Sequence, residues 1–144
     1  MEVSQLRSGS LFANRFEIEK PAGKGGMGTV YRARDRQSGD AVALKLLRAE
    51  QVRADEAARF AREAQLLAEL RHFGIVAYVA HGQTAEGQLY LAMEWLEGED
   101  LSRRLSRGPL PLRDCIQLFD QVAEALSTAH ARGVIHRDLK PAKI

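Results

Sequence analysis

The sequence predicts an α+β fold in two parts, an antiparallel sheet with one helix followed by a helical segment. Residues 16–20 and 29–34 alternate apolar and polar side chains, as half-buried strands do, and a glycine cluster joins them as a hairpin. From residue 55 to 71 the apolar residues recur instead at spacings of three and four, which indicates a helix. A longer helical pattern covers residues 112–130. The order of these patterns places the hairpin and one helix in the first part of the chain and the longer helix in the second.

The remaining elements follow in order along the chain. A turn at residues 38–40 leads into a mostly buried strand at 41–47. Two more strand-like runs, 75–80 and 88–93, flank a turn-rich segment, and 97–100 is predicted to be a loop that links the two halves. We therefore expect three segments. They are a flexible leader at 1–14, a first lobe at 15–94, and a hinge with part of a second lobe at 95–144.

Composition limits the partners of the chain. Its 144 residues are 45% apolar, enough for one globular domain, and 21 basic against 19 acidic side chains argue against a dedicated nucleic-acid binder. The first residues lack the apolar stretch of a signal peptide, and no run approaches the roughly 18 apolar residues of a membrane span. The single cysteine, Cys115, rules out an internal disulfide and fits a reducing compartment. We expect a cytoplasmic protein with no nucleic-acid or membrane partner.

The glycine cluster has two interpretations. Gly23, Gly25 and Gly28 match G-x-G-x-x-G, which is typical either of a structural hairpin or of a loop whose main chain approaches phosphates closely. A dinucleotide-binding fold needs a helix after the glycines, whereas a strand is predicted here. A P-loop needs Gly-Lys-Ser/Thr at its end, but Thr29 follows Gly28 directly. The phosphate-binding alternative that fits is a strand–glycine turn–strand.

Lys45 lies within an apolar strand, where an unpaired ammonium is costly. Either its side chain reaches solvent at the end of the strand, or it pairs with a carboxylate. Glu63, 18 residues later in the predicted helix, is the candidate partner, with Glu56 and Glu69 on the same helix. The run 89–96, with its Met and aromatic residues, is on its own typical of ordinary core.

Residues 136–141 (H-R-D-L-K-P) form the most specific pattern in the chain. They resemble the catalytic loop of eukaryotic-type serine/threonine protein kinases, including the bacterial members, which reads H-R-D-L-x-x-x-N. The glycine cluster, the lysine strand, the helix glutamate and the run 89–96 stand in the order of that family. The resemblance runs from about Arg15 to residue 144. It implies a protein-kinase-like two-lobed fold with a complete N-lobe and only the start of the helical C-lobe.

The resemblance also implies a function and a set of site residues. ATP would be the cofactor, and its γ-phosphoryl would go to a serine or threonine of a protein substrate that the sequence does not identify. Asp138 would position the substrate hydroxyl, and Lys140 would neutralise charge on the transferred group. Lys45 would hold the α- and β-phosphates, oriented by Glu63. The other nucleotide-binding residues implied by the family are Gly23, Gly25, Gly28, Val30, Ala43, Met93, Glu94 and Leu96.

The chain departs from the family pattern at Lys143, which occupies the position of an asparagine that holds magnesium. An ammonium only donates hydrogen bonds and cannot ligate a cation. The D-F-G aspartate, the family's other metal ligand, does not occur in this sequence. We therefore expect no metal ligands in the chain, although the family uses Mg²⁺, and impaired catalysis by the isolated chain.

Three interpretations follow. The chain is a serine/threonine kinase domain whose sequence has been cut short, a non-catalytic pseudokinase-like module that binds a nucleotide or a partner, or a decayed remnant that does not fold stably. The first is favoured, because one Asn-to-Lys change and an abrupt end look like damage to an ordinary kinase. The helix at 112–130 is apolar around much of its circumference, so we expect other apolar surfaces to pack against more than one of its sides. Self-association through this helix is a further hypothesis.

Overall fold

The computed structural model describes residues 6–25, 28–47 and 54–144. These residues form strands and helices in the order expected for an α+β fold. The strands are β1 (Leu11–Phe12), β2 (Phe16–Gly25), β3 (Gly28–Asp35), β4 (Ala41–Leu47), β5 (Tyr78–Gln83) and β6 (Leu89–Glu94). The helices are α1 (Ala54–Glu69), α2 (Leu101–Leu105), α3 (Leu112–Ala131) and a single 3-10 turn at Pro141–Lys143.

The six described strands form one antiparallel sheet in the order β1-β2-β3-β4-β6-β5. The chain divides into two compact units. The first comprises Met1–Glu69 and Ala77–Trp95, and the second comprises Leu70–Val76 and Leu96–Ile144. The sheet and α1 belong to the first unit, whereas α2, α3 and the 3-10 turn belong to the second.

One face of the sheet carries the core of the first unit. The register pairs Tyr31 with Leu44 and Leu44 with Ala92, and cross-strand partners lie on the same face. Because side chains alternate along a strand, every second residue of β3 and β4 lies on this face. The buried cluster comprises Phe12, Phe16, Ile18, Tyr31, Ala33, Val42, Leu44, Leu46 and Ala92.

The described part of the expected leader takes part in this core. Leu11–Phe12 pairs with β2, and Phe12 is only 8% exposed, with its ring edge-on to that of Tyr90 at 5.2 Å. Ala13 and Asn14 adopt positive φ angles of 50° and 54° and turn the chain into β2. The sequence analysis put these residues in a flexible leader because a strand of two residues is too short to show an alternating pattern.

Two further differences concern element boundaries. The run predicted as a strand at 75–80 begins its pairing only at Tyr78 and continues to Gln83. Its register shifts between Tyr78 and Ala80, and such a shift breaks the alternation of side chains from which the boundary was predicted. The helix predicted at 55–71 ends at Glu69. The helix predicted at 112–130 matches α3 to within one residue at its end.

Asp35 is fully buried at the end of β3, where Arg15 neutralises it. Arg15 donates from Nε and a terminal nitrogen to the two carboxylate oxygens, at 2.9 and 2.6 Å. The backbone N–H of Gln37 donates to the same carboxylate at 3.0 Å. The hydrogen bonds from Arg15 are the main reason that the pKa of Asp35 lies below its usual value. This pair fixes the turn after β3 to the start of β2.

In the second unit, α3 packs on the segment 70–76 through its small buried residue Ala125. A Cβ at Gly74 would lie 3.2 Å from the Cβ of Ala125, so an alanine there would require the neighbouring atoms to shift by a few tenths of an ångström. The opposite side of α3 is exposed, with Leu112, Ile116 and Phe119 at 76%, 63% and 73%. None of the described helices has the length and apolar character needed to cross a bilayer.

Candidate nucleotide and catalytic site

The second face of the sheet brings together four residues of the predicted nucleotide site. Val30 pairs with Lys45, and Ala43 pairs with Met93 across β3, β4 and β6. All four are half-buried, whereas the intervening Leu44 is fully buried in the core on the other face. This face therefore combines apolar side chains with one ammonium group.

The glycine hairpin lies at the end of the same strands. Gly25 pairs with Gly28 and Gly23 with Val30, and residues 26 and 27 between them lie outside the described residues. Gly28 has a φ of +144°, and a Cβ there would lie 1.9 Å from the carbonyl oxygen of Leu46. A Cβ at Gly23 would meet nothing within 4 Å. Packing within the protein thus explains the glycine at 28 but not the one at 23.

The pairing of Lys45 with Glu63 stays a prediction, and the structure shows where the helix that carries Glu63 lies. Helix α1 contacts β5, where the ring of Phe60 lies 6.2 Å from that of His81, and Ala64 is the buried residue of the helix. Glu63 is exposed on the surface of this helix. The position of α1 against β5 leaves the Glu63 carboxylate in solvent.

The segment after β6 has a fixed part and an open part. The backbone N–H of Glu94 donates to the Ala77 carbonyl at 2.9 Å, and its carboxylate accepts from the Ala77 N–H at 2.7 Å. Leu96 is 60% exposed, and its peptide groups make no hydrogen bond within the described part of the chain. Of the two residues expected to bind a base through the backbone, Leu96 has its N–H available, whereas that of Glu94 is occupied.

Arg32 is a site neighbour that the sequence analysis did not identify. It pairs with Ala43 across β3 and β4, so it lies on the same face as Val30. Its guanidinium lies 5.5 Å from the centre of the Trp95 ring, and it contacts the carboxylate of Glu19. The signal was present in the sequence, because Arg32 follows Val30 by two residues and a strand repeats every two.

In the second unit, the two predicted catalytic side chains lie together. The Lys140 ammonium is 3.3 Å from the Asp138 carboxylate, and both side chains are more than half exposed. The Asp138 backbone N–H donates to Nδ1 of His136 at 3.3 Å, and Arg137 adopts a positive φ of 63° between them. The loop is thus shaped by its backbone, and it presents the carboxylate to solvent.

The 3-10 turn continues the loop and carries Lys143. The backbone N–H of Lys143 donates to the Lys140 carbonyl at 2.8 Å. The carbonyl of Ile144 accepts from the N–H of Leu101 at 2.8 Å, which attaches the turn to the start of α2. Asp138, Lys140 and Lys143 therefore lie on one short, anchored stretch of chain.

These residues do not fit a magnesium ion. Mg²⁺ prefers several oxygen ligands, usually from carboxylates and carbonyls. Among the described residues there is no group of three or more His, Cys, Asp or Glu side chains that could hold a metal. On the catalytic loop the carboxylate of Asp138 faces Lys140, and Lys143 offers only donors.

A family profile described as "Protein kinase domain" matches residues 16–144. The chain belongs to the protein kinase domain family. The sheet with α1 is the N-lobe of this kinase domain, and α2 and α3 begin its helical lobe, so the predicted fold class is confirmed.

Similar proteins agree with this assignment. The serine/threonine-protein kinase pkn3 of Myxococcus xanthus is 42% identical over 94% of this chain and 25% of its own length. PknJ of Mycobacterium tuberculosis is 44% identical over 96% of this chain and 23% of its own. The crystal structure of the M. tuberculosis PknI kinase domain matches with a TM-score of 0.83 and 33% identity, over 95% of this chain and 55% of that one.

The kinase domain described by this chain is thus partial relative to its relatives. It spans about a quarter of the length of the curated kinases and just over half of the solved kinase domain. The site residues expected from the sequence divide between the two units. Those assigned to the phosphates and the base lie mostly in the first unit, and Asp138 and Lys140 lie in the second.

Proposed function

We propose that this chain is the ATP-binding part of a serine/threonine protein kinase domain and that, alone, it binds ATP but transfers phosphoryl groups poorly. The sheet face that carries Val30, Ala43, Lys45 and Met93 is the single observation that supports nucleotide binding most directly. In the complete domain the γ-phosphoryl would pass to a serine or threonine of a protein substrate. We infer a cytoplasmic location from the ATP requirement and the lone Cys115.

The chemistry of this sheet face suits ATP. An adenine base is flat and apolar on its faces, and the side chains of Val30, Ala43 and Met93 offer apolar contact of matching character. The ammonium of Lys45 supplies positive charge for phosphate oxygens. The open space at Gly23 allows the main chain to approach those phosphates without a Cβ in the way.

The catalytic loop supplies the groups for transfer. Asp138 accepts a hydrogen bond from a substrate hydroxyl and orients it, and Lys140 beside it offsets negative charge that develops on the transferred group. Positioning and charge neutralisation account for most of the acceleration in phosphoryl transfer. Because the described residues contain no fitting set of metal ligands, much of that neutralisation is missing from this chain. We therefore expect slow or no turnover.

ATP binding is tested by thermal unfolding of the full 144-residue chain with and without ATP. A ligand at about 100 times its Kd stabilises a protein by about 2.7 kcal/mol, which raises Tm by several degrees. We expect this shift for the wild-type chain and for Arg113→Met, which removes an exposed cationic side chain on α3. Lys45→Met should lose it. An equal shift for Lys45→Met and Arg113→Met, or none for the wild type, would contradict the proposal.

A second candidate is a non-catalytic, pseudokinase-like module that binds a nucleotide or a partner. Lys143 favours it, because an ammonium stands where the family has a metal ligand. The two candidates differ in turnover. Phosphate transfer from labelled ATP to Ser- and Thr-containing peptides that disappears in Asp138→Asn supports a working kinase. ATP-dependent stabilisation without any transfer supports the non-catalytic module.

A further inference from the structure

Arg32 and Trp95 form a contact that spans three strands of the first unit. Arg32 lies on β3, Trp95 directly follows the last residue of β6, and β4 lies between these two strands. Neighbouring strands are about 4.8 Å apart, so only long side chains can meet across a third strand. The guanidinium of Arg32 lies 5.5 Å from the centre of the Trp95 ring. Ala41 and Ala43 are the residues of β4 on this side, and their small side chains leave room for the crossing.

Both members of this Arg32–Trp95 stack have a further attachment to the sheet. Arg32 forms an ion pair with the carboxylate of Glu19 on β2, and both side chains are partly buried. The guanidinium is therefore held from the side of β2 as well as by the indole. The backbone N–H of Trp95 donates to the carbonyl of Ala41 at 3.3 Å, a long hydrogen bond. The contact with Arg32 gives the Trp95 side chain an attachment that this backbone bond does not provide.

The stack borders the apolar part of the candidate nucleotide face. Ala43 pairs with both Arg32 and Met93, and Val30 lies two residues before Arg32 on β3. Because side chains alternate along a strand, Val30, Ala43 and Met93 form one apolar patch on the face that also carries Arg32. Lys45 lies across from Val30, whereas the stack extends from Arg32 towards the end of β6. The ammonium and the stack therefore lie on opposite sides of the apolar patch.

We propose that Arg32 is a positioning residue for the adenine base. Its guanidinium, held by Glu19, keeps the Trp95 ring beside the apolar patch and so closes this face on the side away from Lys45. This inference rests on the proposed ATP binding and states how the base is placed. A base on the apolar patch meets a fixed border, and without the guanidinium the indole can adopt other rotamers and the border is lost. The effect falls on the base and not on the phosphates.

The experiment compares Arg32→Leu with Arg34→Leu in the full chain. Both changes remove one guanidinium from β3 and one contact with Glu19, but Arg34 is more than half exposed and donates to the Gly39 carbonyl at 3.2 Å. ATP, adenosine and tripolyphosphate each compete with a fluorescent ATP analogue. We expect Arg32→Leu to weaken ATP and adenosine by the same factor, about threefold to tenfold, and to leave tripolyphosphate within about twofold. Arg34→Leu should leave all three within about twofold, because exposed charges are screened by salt.

Trp95 supplies a spectroscopic readout, because it is the only tryptophan of the chain. Without nucleotide, its fluorescence emission should change in Arg32→Leu, which loses the cation beside the ring, and should stay as in the wild type in Arg34→Leu. Unchanged emission in Arg32→Leu, or an equal change in both variants, contradicts the stack. Denaturant titrations establish that each variant is folded under the binding conditions, so a loss of affinity is not a loss of fold.

The outcomes separate this inference from the proposed function. A loss confined to ATP and tripolyphosphate assigns Arg32 to the phosphates and overturns its role towards the base. An equal loss for all three ligands, or an equal effect of Arg34→Leu, indicates a general change in the site and overturns it as well. Both results leave ATP binding intact. A wild-type chain that does not bind ATP refutes the proposed function itself, and the inference falls with it.

Discussion

The two outer glycines of the hairpin should respond in opposite ways to the same substitution. Gly28→Ala and Gly23→Ala each add one methyl group to neighbouring strands of the sheet. At position 28 the new Cβ lies 1.9 Å from the carbonyl oxygen of Leu46, in a backbone with φ of +144°. At position 23 it meets no atom within 4 Å. Comparing the two variants therefore distinguishes a glycine that the fold requires, at position 28, from one that only a bound ligand would require, at position 23.

The structure gives a magnitude for each change. A Cβ closer than 3.0 Å to another atom is essentially never seen, so β3 must move away from β4 by more than an ångström in Gly28→Ala. Strained backbone costs about 1–3 kcal/mol and overpacking about 1–3 kcal/mol, a total of about 2–6 kcal/mol of unfolding free energy. Gly23→Ala should change it by less than about 1 kcal/mol and can stabilise through the unfolded chain.

Chemical denaturation of the two variants and ATP titration of Gly23→Ala measure these effects. We expect a lower denaturation midpoint for Gly28→Ala and a near-normal midpoint with weakened ATP binding for Gly23→Ala, because a Cβ holds the main chain away from the phosphates. The reasoning is refuted if both variants lose stability equally. It is also refuted if Gly23→Ala binds ATP as the wild type does.

Three other features can be tested in the same way. Phe12→Ala should destabilise the protein by about 3 kcal/mol in denaturant titrations, since its ring is buried; a change near zero would indicate a leader outside the core. The pKa of Asp35 is lowered mainly by its hydrogen bonds from Arg15, so the charged carboxylate stabilises the fold at pH values above the unfolded pKa of about 3.9. This stabilisation is lost as the pH falls further and the carboxylate is protonated. The Tm of Asp35→Asn should therefore fall less on acidification than that of the wild type; equal slopes would contradict this. Ile116→Gln combined with Phe119→Gln should reduce any self-association through α3 in sedimentation; a wild type that stays monomeric excludes it.

Local patterns predicted the elements, but the contacts between distant residues were not accessible from them. Alternation gave the strands, and helical periodicity gave α1 and α3 with errors of a residue or two. The burial of Phe12 depends on β1 pairing with β2 and on Tyr90, far along the chain. The pair of Arg15 with Asp35 likewise joins residues 20 apart. No periodicity in the sequence reports either contact.

In the candidate site, too, contacts within one loop could be predicted from the sequence, whereas contacts between distant elements could not. Asp138 and Lys140 were expected together and lie together, because two residues in one loop are close whatever the rest of the fold does. The partner expected for Lys45 was Glu63, and that contact depends on how α1 sits on the sheet. Phe60 and Ala64 set that position through their packing, so the sequence of the helix alone does not determine it.

The backbone of the catalytic loop explains how the fold tolerates a lysine at position 143, where the family pattern has an asparagine. The turn at Pro141–Lys143 is held by backbone hydrogen bonds, from Lys143 to Lys140, from Ile144 to Pro141 and from Leu101 to Ile144. None of these bonds involves the side chain at 143, so an ammonium and an amide are equally compatible with the turn. The similarity to the PknI kinase domain therefore constrains the shape of this loop and not its charge.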